Sequence, residues 1–309
     1  YEAGLTDMEV YLVKNDNFSC KVFEQNVDAY SVSKTQGLSF RGIYQGQMGY
    51  TYTEKCDDSS IPFIISSVID NASVMEKEEN EQLYAGDKDY VKLELYHHSF
   101  NEVTALEKIE FLKAVEKACF ALDPRVKSVD YCSFSNGASE VILKNTKGLD
   151  VSERQNFAYA YVSVLVSENG ENKNDGDFII STDFSDYEAE SFAKKIVHSA
   201  LSQLGAKKVK SGTYPIVLKN LVAGDILEAM SGIFSADAVI KDLSRLKGQI
   251  GKQIASSIVT LIDDPHLPNG LGSSSFDGEG VATYKKEVIT DGVLMTYLHS
   301  LTTAKIFNT

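Results

Sequence analysis

The feature that most constrains the fold is a series of short alternating segments in the first fifty residues. Apolar and polar residues alternate there with a period of two, which is the pattern of a half-buried β-strand. The five runs cover residues 9–13, 18–23, 29–34, 38–44 and 49–53. Turn-forming residues separate them at hairpin spacing, at residues 15–17, 25–26, 36–37 and 45–46. The sequence therefore predicts an antiparallel meander.

Helical patterns interrupt this β-rich character. An N-capping pair of serines and an early proline precede the apolar positions of a first helix beginning near Ile61. A second helix is expected over 104–122, where Asp123 and Pro124 end it, and a third over 185–204. The Glu- and Lys-rich stretch 71–89 is expected to be an exposed connection. Strands are expected at 126–135, 139–144 and 156–167, with a hairpin turn at Asn136 and Gly137.

The length and a polar hinge near residue 206 favour two domains. The predicted class is α+β, with an N-terminal mixed α/β domain that contains the meander, over 1–205, and the start of a β-rich C-terminal domain, over 206–309. In the second part, helices are expected at 220–233, 236–246 and from residue 302, and strands at 214–218, 257–262, 281–290 and 293–298.

Charge and hydropathy exclude several classes of function. The formal charge of −14 repels nucleic-acid phosphates and anionic lipid. No apolar run approaches the roughly 20 residues that cross a bilayer, and the first residues lack the pattern of a signal peptide. The four cysteines form no CxxC pair. We therefore expect a soluble cytoplasmic protein with reduced thiols that binds neither nucleic acid nor membrane.

The loop 263–280 is the most unusual stretch of the chain. It is long for a connection between two strands, and it places His266 among the carboxylates of Asp263, Asp264, Asp277 and Glu279. These residues could bind a metal or act as an acid/base pair. Two prolines and four glycines suit a rigid structural loop equally well. Residue chemistry alone leaves both interpretations open.

Other catalytic patterns are absent from the sequence. There is no H-E-x-x-H, no P-loop, no G-x-G-x-x-G after a strand and no G-x-S-x-G elbow. His97 and His98 are adjacent and would point in different directions on a strand or a helix. His198 and His299 are expected to be structural histidines.

The segment 261–281 resembles the most diagnostic stretch of the TldD/PmbA peptidase family, and of its PmbA (TldE) branch in particular. Residues 289–298 and 302–304 are similar to the strand, turn and strand that follow it in the family, and residues 9–50 resemble its N-terminal domain more loosely. In active TldD-type subunits a helix carries an H-E-x-x-x-H pattern that holds zinc and activates water. The corresponding positions here are Leu227, Glu228 and Gly232, so only the glutamate is kept.

The resemblance implies a PmbA/TldE-like subunit without zinc of its own, which pairs with a zinc-containing TldD-type subunit in a heteromeric peptidase. Its substrates would be unfolded peptides, peptide-antibiotic precursors or antitoxins, and strands would offer backbone hydrogen bonds to an extended substrate. The loop 263–280 would then shape the peptide chamber or the subunit interface. Two alternatives stay open: a stand-alone metal-dependent hydrolase that uses this loop, and a homodimeric binding or gyrase-modulating scaffold without a proteolytic role.

Overall fold

The chain forms one large antiparallel sheet with helices on one face, followed by a smaller α/β region. The computed structural model describes residues 1–75 and 83–309. The large sheet has the strand order β3-β2-β1-β4-β5-β6, and every neighbouring pair is antiparallel. Its strands are β1 (Leu5–Phe23), β2 (Asn26–Tyr44), β3 (Gln47–Thr53), β4 (Val126–Asn145), β5 (Asp150–Glu168) and β6 (Glu171–Ser181). The predicted α+β class and the N-terminal antiparallel meander are confirmed.

Three predicted turns are wrong, because the chain passes through them as uninterrupted strand. Residues 15–17 lie inside β1, residues 36–37 inside β2, and Asn136 with Gly137 inside β4. Pairing with a neighbour on each side of β1 and β4 outweighs the local turn preference of these residues. Gly137 instead makes room in the strand, since a Cβ atom there would lie 2.4 Å from Oδ1 of Asn17 on β1.

Three of the hairpin turns of the large sheet have positive φ angles at both central residues. These pairs are Glu24 and Gln25 (48° and 62°), Gln45 and Gly46 (51° and 81°), and Asn169 and Gly170 (50° and 82°). Such angles match the turns that best follow the right-handed twist of paired strands. The first two reversals coincide with predicted breaks in the meander. Two residues without a glycine can occupy the first turn because buried Glu116 binds their backbone N–H groups.

Three helices cover one face of the large sheet. They are α1 (Ile61–Val74), α2 (Ala105–Leu122) and α3 (Ala189–Leu201), which agree with the predicted helices to within a few residues at each end. α2 packs against β4, and α3 packs against β5 and β6. The core between these layers includes Leu112, Phe134, Val162 and Ile196, all shielded from solvent. Alternation along β1, β4 and β5 places the opposite set of side chains on the face without helices.

The stretch 71–89, predicted to be an exposed connection, divides into three parts. Residues 71–74 complete α1. Residues 76–82 lie outside the described part of the chain. From Leu83, which is buried, the chain runs without regular structure to a 3₁₀ turn at His98–Asn101.

The region after residue 205 contains less regular structure than expected. Its elements are α4 (Asn220–Met230), α5 (Ala236–Ile240), β7 (Leu261–Asp263), β8 (Lys286–Thr290), β9 (Val293–Leu294) and α6 (Leu301–Phe307). The predicted strand 214–218 is irregular, and the predicted helix 236–246 ends after five residues. A small core with Phe234, Leu246, Ile289 and Leu294 supports the three-stranded sheet β7-β8-β9.

Residues 205–232, which include the whole of α4, are exposed throughout. In the part of the chain that the structure describes, no helix combines the length and the apolar character that a membrane span requires.

Candidate functional site

The loop 263–280 lies on the helix-free face of the large sheet, where Glu153 of β5 holds it. The Glu153 carboxylate accepts hydrogen bonds from Ser274 Oγ (2.7 Å), Ser275 N (2.8 Å) and Ser275 Oγ (2.8 Å). Glu153 pairs with Val141 in the sheet, and Val141 packs beside the cluster that receives the loop. Because charged acceptors make the stronger hydrogen bonds, these three contacts fix the middle of the loop.

Phe276 is the apolar anchor of the loop. Its buried ring packs with Leu143, Leu149 and Val151, and the ring of Tyr90 meets it edge-on at 6.4 Å between centroids. The Tyr90 hydroxyl donates to the carbonyl of Gly280 (2.7 Å).

The segment 83–90 makes a second contact with the C-terminal end of the loop. Asp87 Oδ2 accepts from Ala282 N (2.7 Å), and Asp87 Oδ1 accepts from the Tyr84 hydroxyl (2.7 Å). The bond to Asp87, together with burial, raises the pKa of Tyr84 to about 12. The loop is therefore clamped by segments that lie almost two hundred residues earlier in the chain.

His266 has a partner of its own. Its Nε2 lies 3.0 Å from Thr283 Oγ1, and that hydroxyl donates to the carbonyl of Ser274. Since the single hydroxyl proton is used for Ser274, Nε2 is assigned as the donor to Thr283, and Nδ1 is left as the acceptor nitrogen. His266 thus links the two ends of the loop.

The four carboxylates of the loop face different partners. Asp264 binds Lys285 Nζ (2.8 Å) and accepts from His266 N (3.2 Å), and the bond to Lys285 is the larger cause of its lowered pKa. Asp263 pairs with Lys286 (2.8 Å). Asp277 accepts the backbone N–H groups of residues 279 and 281. Glu279 accepts from Leu301 N (2.9 Å) at the first turn of α6.

The predicted site residues therefore share a loop without converging on one point. Among the residues that the structure describes, no group of three or more His, Cys, Asp or Glu side chains is placed to hold a metal ion. Glu228 is separate from all of them, on exposed helix α4. The arrangement orders a loop and presents its outer surface, which includes half-exposed Leu267 and Leu271.

Sequence reasoning missed Glu153, Asp87 and Tyr90, which hold the loop. Glu153 lies in a polar run, residues 152–155, just before the predicted strand 156–167, and Asp87 and Tyr90 lie in or beside a polar stretch that is typical of solvated surface. Their partners are 121 to 195 positions away in the chain, so no local spacing could have identified them.

Comparisons with known proteins point to one family along most of the chain. Three domain descriptions of one family match it: PmbA/TldA metallopeptidase domain 1 over residues 8–72, the central domain over 98–204 and the C-terminal domain over 211–309. A metalloprotease TldD homolog of Haemophilus influenzae is 31% identical over 66% of the chain and 44% of its own length. Metalloprotease PmbA of Escherichia coli O157:H7 is 29% identical over 67% of the chain and 46% of its own length. The chain thus spans less than half of either relative.

A solved structure has the same fold. A candidate modulator of a DNA gyrase from Thermotoga maritima superposes with a TM-score of 0.91 at 26% identity, over 99% of the chain and 70% of that protein.

Proposed function

Because the chain belongs to the PmbA/TldD metallopeptidase family, we propose that it is a PmbA/TldE-like subunit that binds peptide and relies on a TldD-type partner for zinc chemistry. Family membership supports a role in peptide hydrolysis. The assignment to the subunit without zinc rests on helix α4 and the turn after it.

The residues at the corresponding zinc-helix positions do not fit a zinc ion. Leu227 has no ligand atom, and Gly232 has no side chain and lies in the 3₁₀ turn beyond the end of α4. Glu228 is then left with Asp225, one turn earlier, as the nearest carboxylate on the helix. Protein zinc sites take three or four nitrogen, sulfur or oxygen ligands, with imidazole or thiolate prominent among them. This donor set is the single observation that carries the proposal.

The exposed surface of α4 supports a role in assembly. Leu221, Val222, Ile226, Leu227 and Met230 are all substantially exposed, although the helix is apolar enough to pack against another surface. A contiguous apolar patch on a soluble protein commonly marks an interaction site. A TldD-type subunit is the partner that the family relationship suggests.

The edges of the two sheets differ in what they offer an extended peptide. At the outer strand β6, the N–H groups of Gly176 and Phe178 are bound by the carboxylates of the preceding residues, Asp175 and Asp177 (2.9 Å each). At the other edge, Asn71 of α1 donates to the carbonyl of Tyr50 on β3. In the small sheet, edge strand β7 leads directly into the loop 263–280. Peptide pairing with backbone groups is therefore assigned to β7 and the loop.

Reconstitution tests this proposal. The full-length protein and a TldD-type subunit from the same genome would be purified separately and mixed, and both co-elution and hydrolysis of an unfolded peptide would be measured. The proposal expects a complex with activity that neither subunit shows alone. An Ile226→Asp variant should weaken the complex, whereas the matched control Ile258→Asp, at an exposed position outside α4, should not. Hydrolysis by this chain alone would contradict the proposal.

One observation favours a second candidate, a gyrase-modulating scaffold without a proteolytic role. The Thermotoga maritima protein that shares the fold is described as a candidate modulator of a DNA gyrase. The charge of −14 would direct such a role towards protein surfaces and away from DNA. Failure to associate with any TldD-type subunit would favour this candidate.

A further inference from the structure

The helix-free face of the large sheet is only half covered by the described residues. Towards one end, Phe276 and the segment around Tyr90 pack over Leu143 and Val151. Towards the other end lie two adjoining depressions of about 530 and 430 Å³. Described residues of the sheet strands alone line both depressions. We call this second half the open face and define it by strand residues 15–21, 29–35, 131–139, 155–163 and 176–180.

Strand register shows which side chains share the open face. One row across β1, β4, β5 and β6 consists of Lys21, Ser133, Tyr161 and Phe178, and the next consists of Ser19, Ser135, Tyr159 and Ile180. Side chains directly opposite in an antiparallel pair point to the same side of the sheet. The open face therefore combines aromatic rings with small hydroxyl side chains.

The aromatic side chains form an accessible cluster. Tyr131 is 46% exposed, Phe157 41% and Phe178 42%. The rings of Tyr131 and Tyr161 meet edge-on at 5.6 Å between centroids, and those of Tyr159 and Phe178 stack at 6.1 Å.

The Tyr161 ring extends over Gly176 of β6. Only glycine leaves room for it there, because a Cβ atom at Gly176 would lie 2.5 Å from the Tyr161 hydroxyl oxygen. The hydroxyl groups of Tyr131, Tyr159 and Tyr161 make no hydrogen bond within residues 1–75 and 83–309. They are therefore available to a ligand.

The open face is almost free of charge. Although 24% of the chain's residues are charged, Lys21 is the only charged residue among the described strand residues whose side chain alternation places on the open face. Lys21 already pairs with Asp28 at 3.0 Å and lies 5.2 Å from the centre of the Tyr131 ring. A phosphate-rich ligand would find no free cation among the described strand residues of this face, so the surface suits a neutral, partly apolar ligand.

The covered half shows what kind of ligand lies against this face. There, irregular chain lies against the sheet, the Phe276 ring packs into an apolar recess, and the Glu153 carboxylate of the sheet binds a backbone N–H and a hydroxyl group of that chain. The open face lies further along the same strands, where tyrosine, phenylalanine and serine side chains take the place of Leu143 and Val151 in the covered half. Tyrosine and serine together give binding surfaces of broad specificity, since rigid rings supply contact area and small hydroxyls adapt their hydrogen bonds.

We propose that the open face binds a segment of extended polypeptide that carries aromatic or branched aliphatic side chains. The apolar side chains of the segment lie between the rings of Tyr131, Tyr159 and Tyr161, and the serine and tyrosine hydroxyls bind its backbone. Because Asp175 and Asp177 already bind two N–H groups of β6, the segment lies over the face of the sheet and not beside its edge strand. The inference rests on the proposed function for its substrate class and assigns a second contact surface remote from β7.

Fluorescence anisotropy with two labelled peptides tests the site. Both are capped dodecamers of glycine, serine and threonine, and one has phenylalanine at three positions where the other has serine. The protein should bind the phenylalanine peptide and show much weaker binding of the serine peptide. The double substitution Tyr159→Ser with Tyr161→Ser should weaken binding by about tenfold or more, as for clustered aromatic contacts.

Two further variants keep the result interpretable. Phe157→Ser removes an exposed ring of the open face and should weaken binding without unfolding the protein. Phe120→Ser removes a ring of similar exposure on α2, on the other side of the sheet, and should leave binding unchanged.

The proposal is overturned if the wild-type protein does not bind the phenylalanine peptide, if the open-face variants bind like wild type, or if both peptides bind equally. Sedimentation that shows a dimer lost only in the open-face variants would overturn it in favour of a second copy as the occupant. Co-elution with a TldD-type subunit is measured separately, so failure of this site and failure of the proposed subunit role are distinguishable.

Discussion

Glu153 on β5 binds Ser275 at two points, through the backbone N–H and the side-chain hydroxyl, both at 2.8 Å. This contact joins β5, the strand next to outer strand β6, to the loop that the family resemblance singles out. It makes the loop part of the sheet's surface, so the position of the loop depends on residues of the N-terminal half.

Replacing Glu153 with alanine should release the loop. Three hydrogen bonds to one carboxylate are lost, and the free energy of unfolding should fall by about 2 kcal/mol. Limited proteolysis within 263–280 should become faster. The matched control is Glu140→Ala on neighbouring β4, whose exposed pair with Lys14 should contribute less than about 1 kcal/mol. Equal effects of the two substitutions would contradict the assigned role of Glu153.

Replacing Glu116 with alanine should destabilise the first hairpin. This buried carboxylate accepts from Glu24 N (2.9 Å), Gln25 N (2.7 Å) and Gln25 Nε2 (2.7 Å). We expect a loss of about 3 kcal/mol in chemical denaturation, because the turn loses its acceptor and a buried space is left. Glu116→Gln should recover part of this loss. Glu110→Ala, exposed on the same helix, should change stability little, and a similar loss there would argue against the hairpin role.

The protection of the loop should depend on pH through Asp264. The bond with Lys285 lowers the pKa of Asp264, which in an unfolded chain is about 3.9. The folded pKa lies below the unfolded one. The contact therefore stabilises the loop fully at pH values above the unfolded pKa, and this stabilisation is lost as the pH falls through the folded pKa. Hydrogen exchange of the loop amides between pH 5 and 2 measures the effect.

Asp264→Asn should flatten this pH profile, whereas Asp242→Asn, at an exposed pair with Lys247, should leave it unchanged. An unchanged profile in Asp264→Asn would show that other carboxylates are responsible.

Gly280→Ala should destabilise the clamped end of the loop. Gly280 has a φ of +84°, and a Cβ atom there would lie 2.4 Å from a methyl group of Leu149. Strain and overpacking together should cost about 2 kcal/mol. Gly278→Ala is the matched control, because its Cβ atom would meet nothing within 4 Å. Thermal unfolding of the two variants should differ clearly, and equal midpoints would contradict the clamp.

Sequence patterns predicted the strand-forming residues better than the places where strands end. The reversals at residues 24–25 and 45–46 were expected, but Asn136 and Gly137, with their strong local turn preference, continue a twenty-residue strand. Pairing of β4 with β1 and β5 decides that conformation, and these partners are distant in the chain. After residue 205, the expected strands shrink to between two and five residues, because a small core supports only a short sheet.

The candidate site was predictable only in part. Length and composition drew attention to the loop 263–280, and in the described structure that loop has a defined position on the large sheet. Its supports at Glu153, Asp87 and Tyr90 depend on contacts over more than a hundred positions. The open face could not be anticipated either, since alternation shows that a strand has two faces without showing which one the helices cover.

The most direct test of the central claim is zinc content by elemental analysis, measured together with chelator-sensitive peptide hydrolysis. The full-length protein would be measured alone and in complex with a TldD-type subunit from the same genome. With leucine and glycine at the positions of the two imidazoles, the protein alone should contain no stoichiometric zinc and hydrolyse no peptide, and both should appear in the complex. Stoichiometric zinc with chelator-sensitive hydrolysis by this protein alone would contradict the account and direct attention to His266.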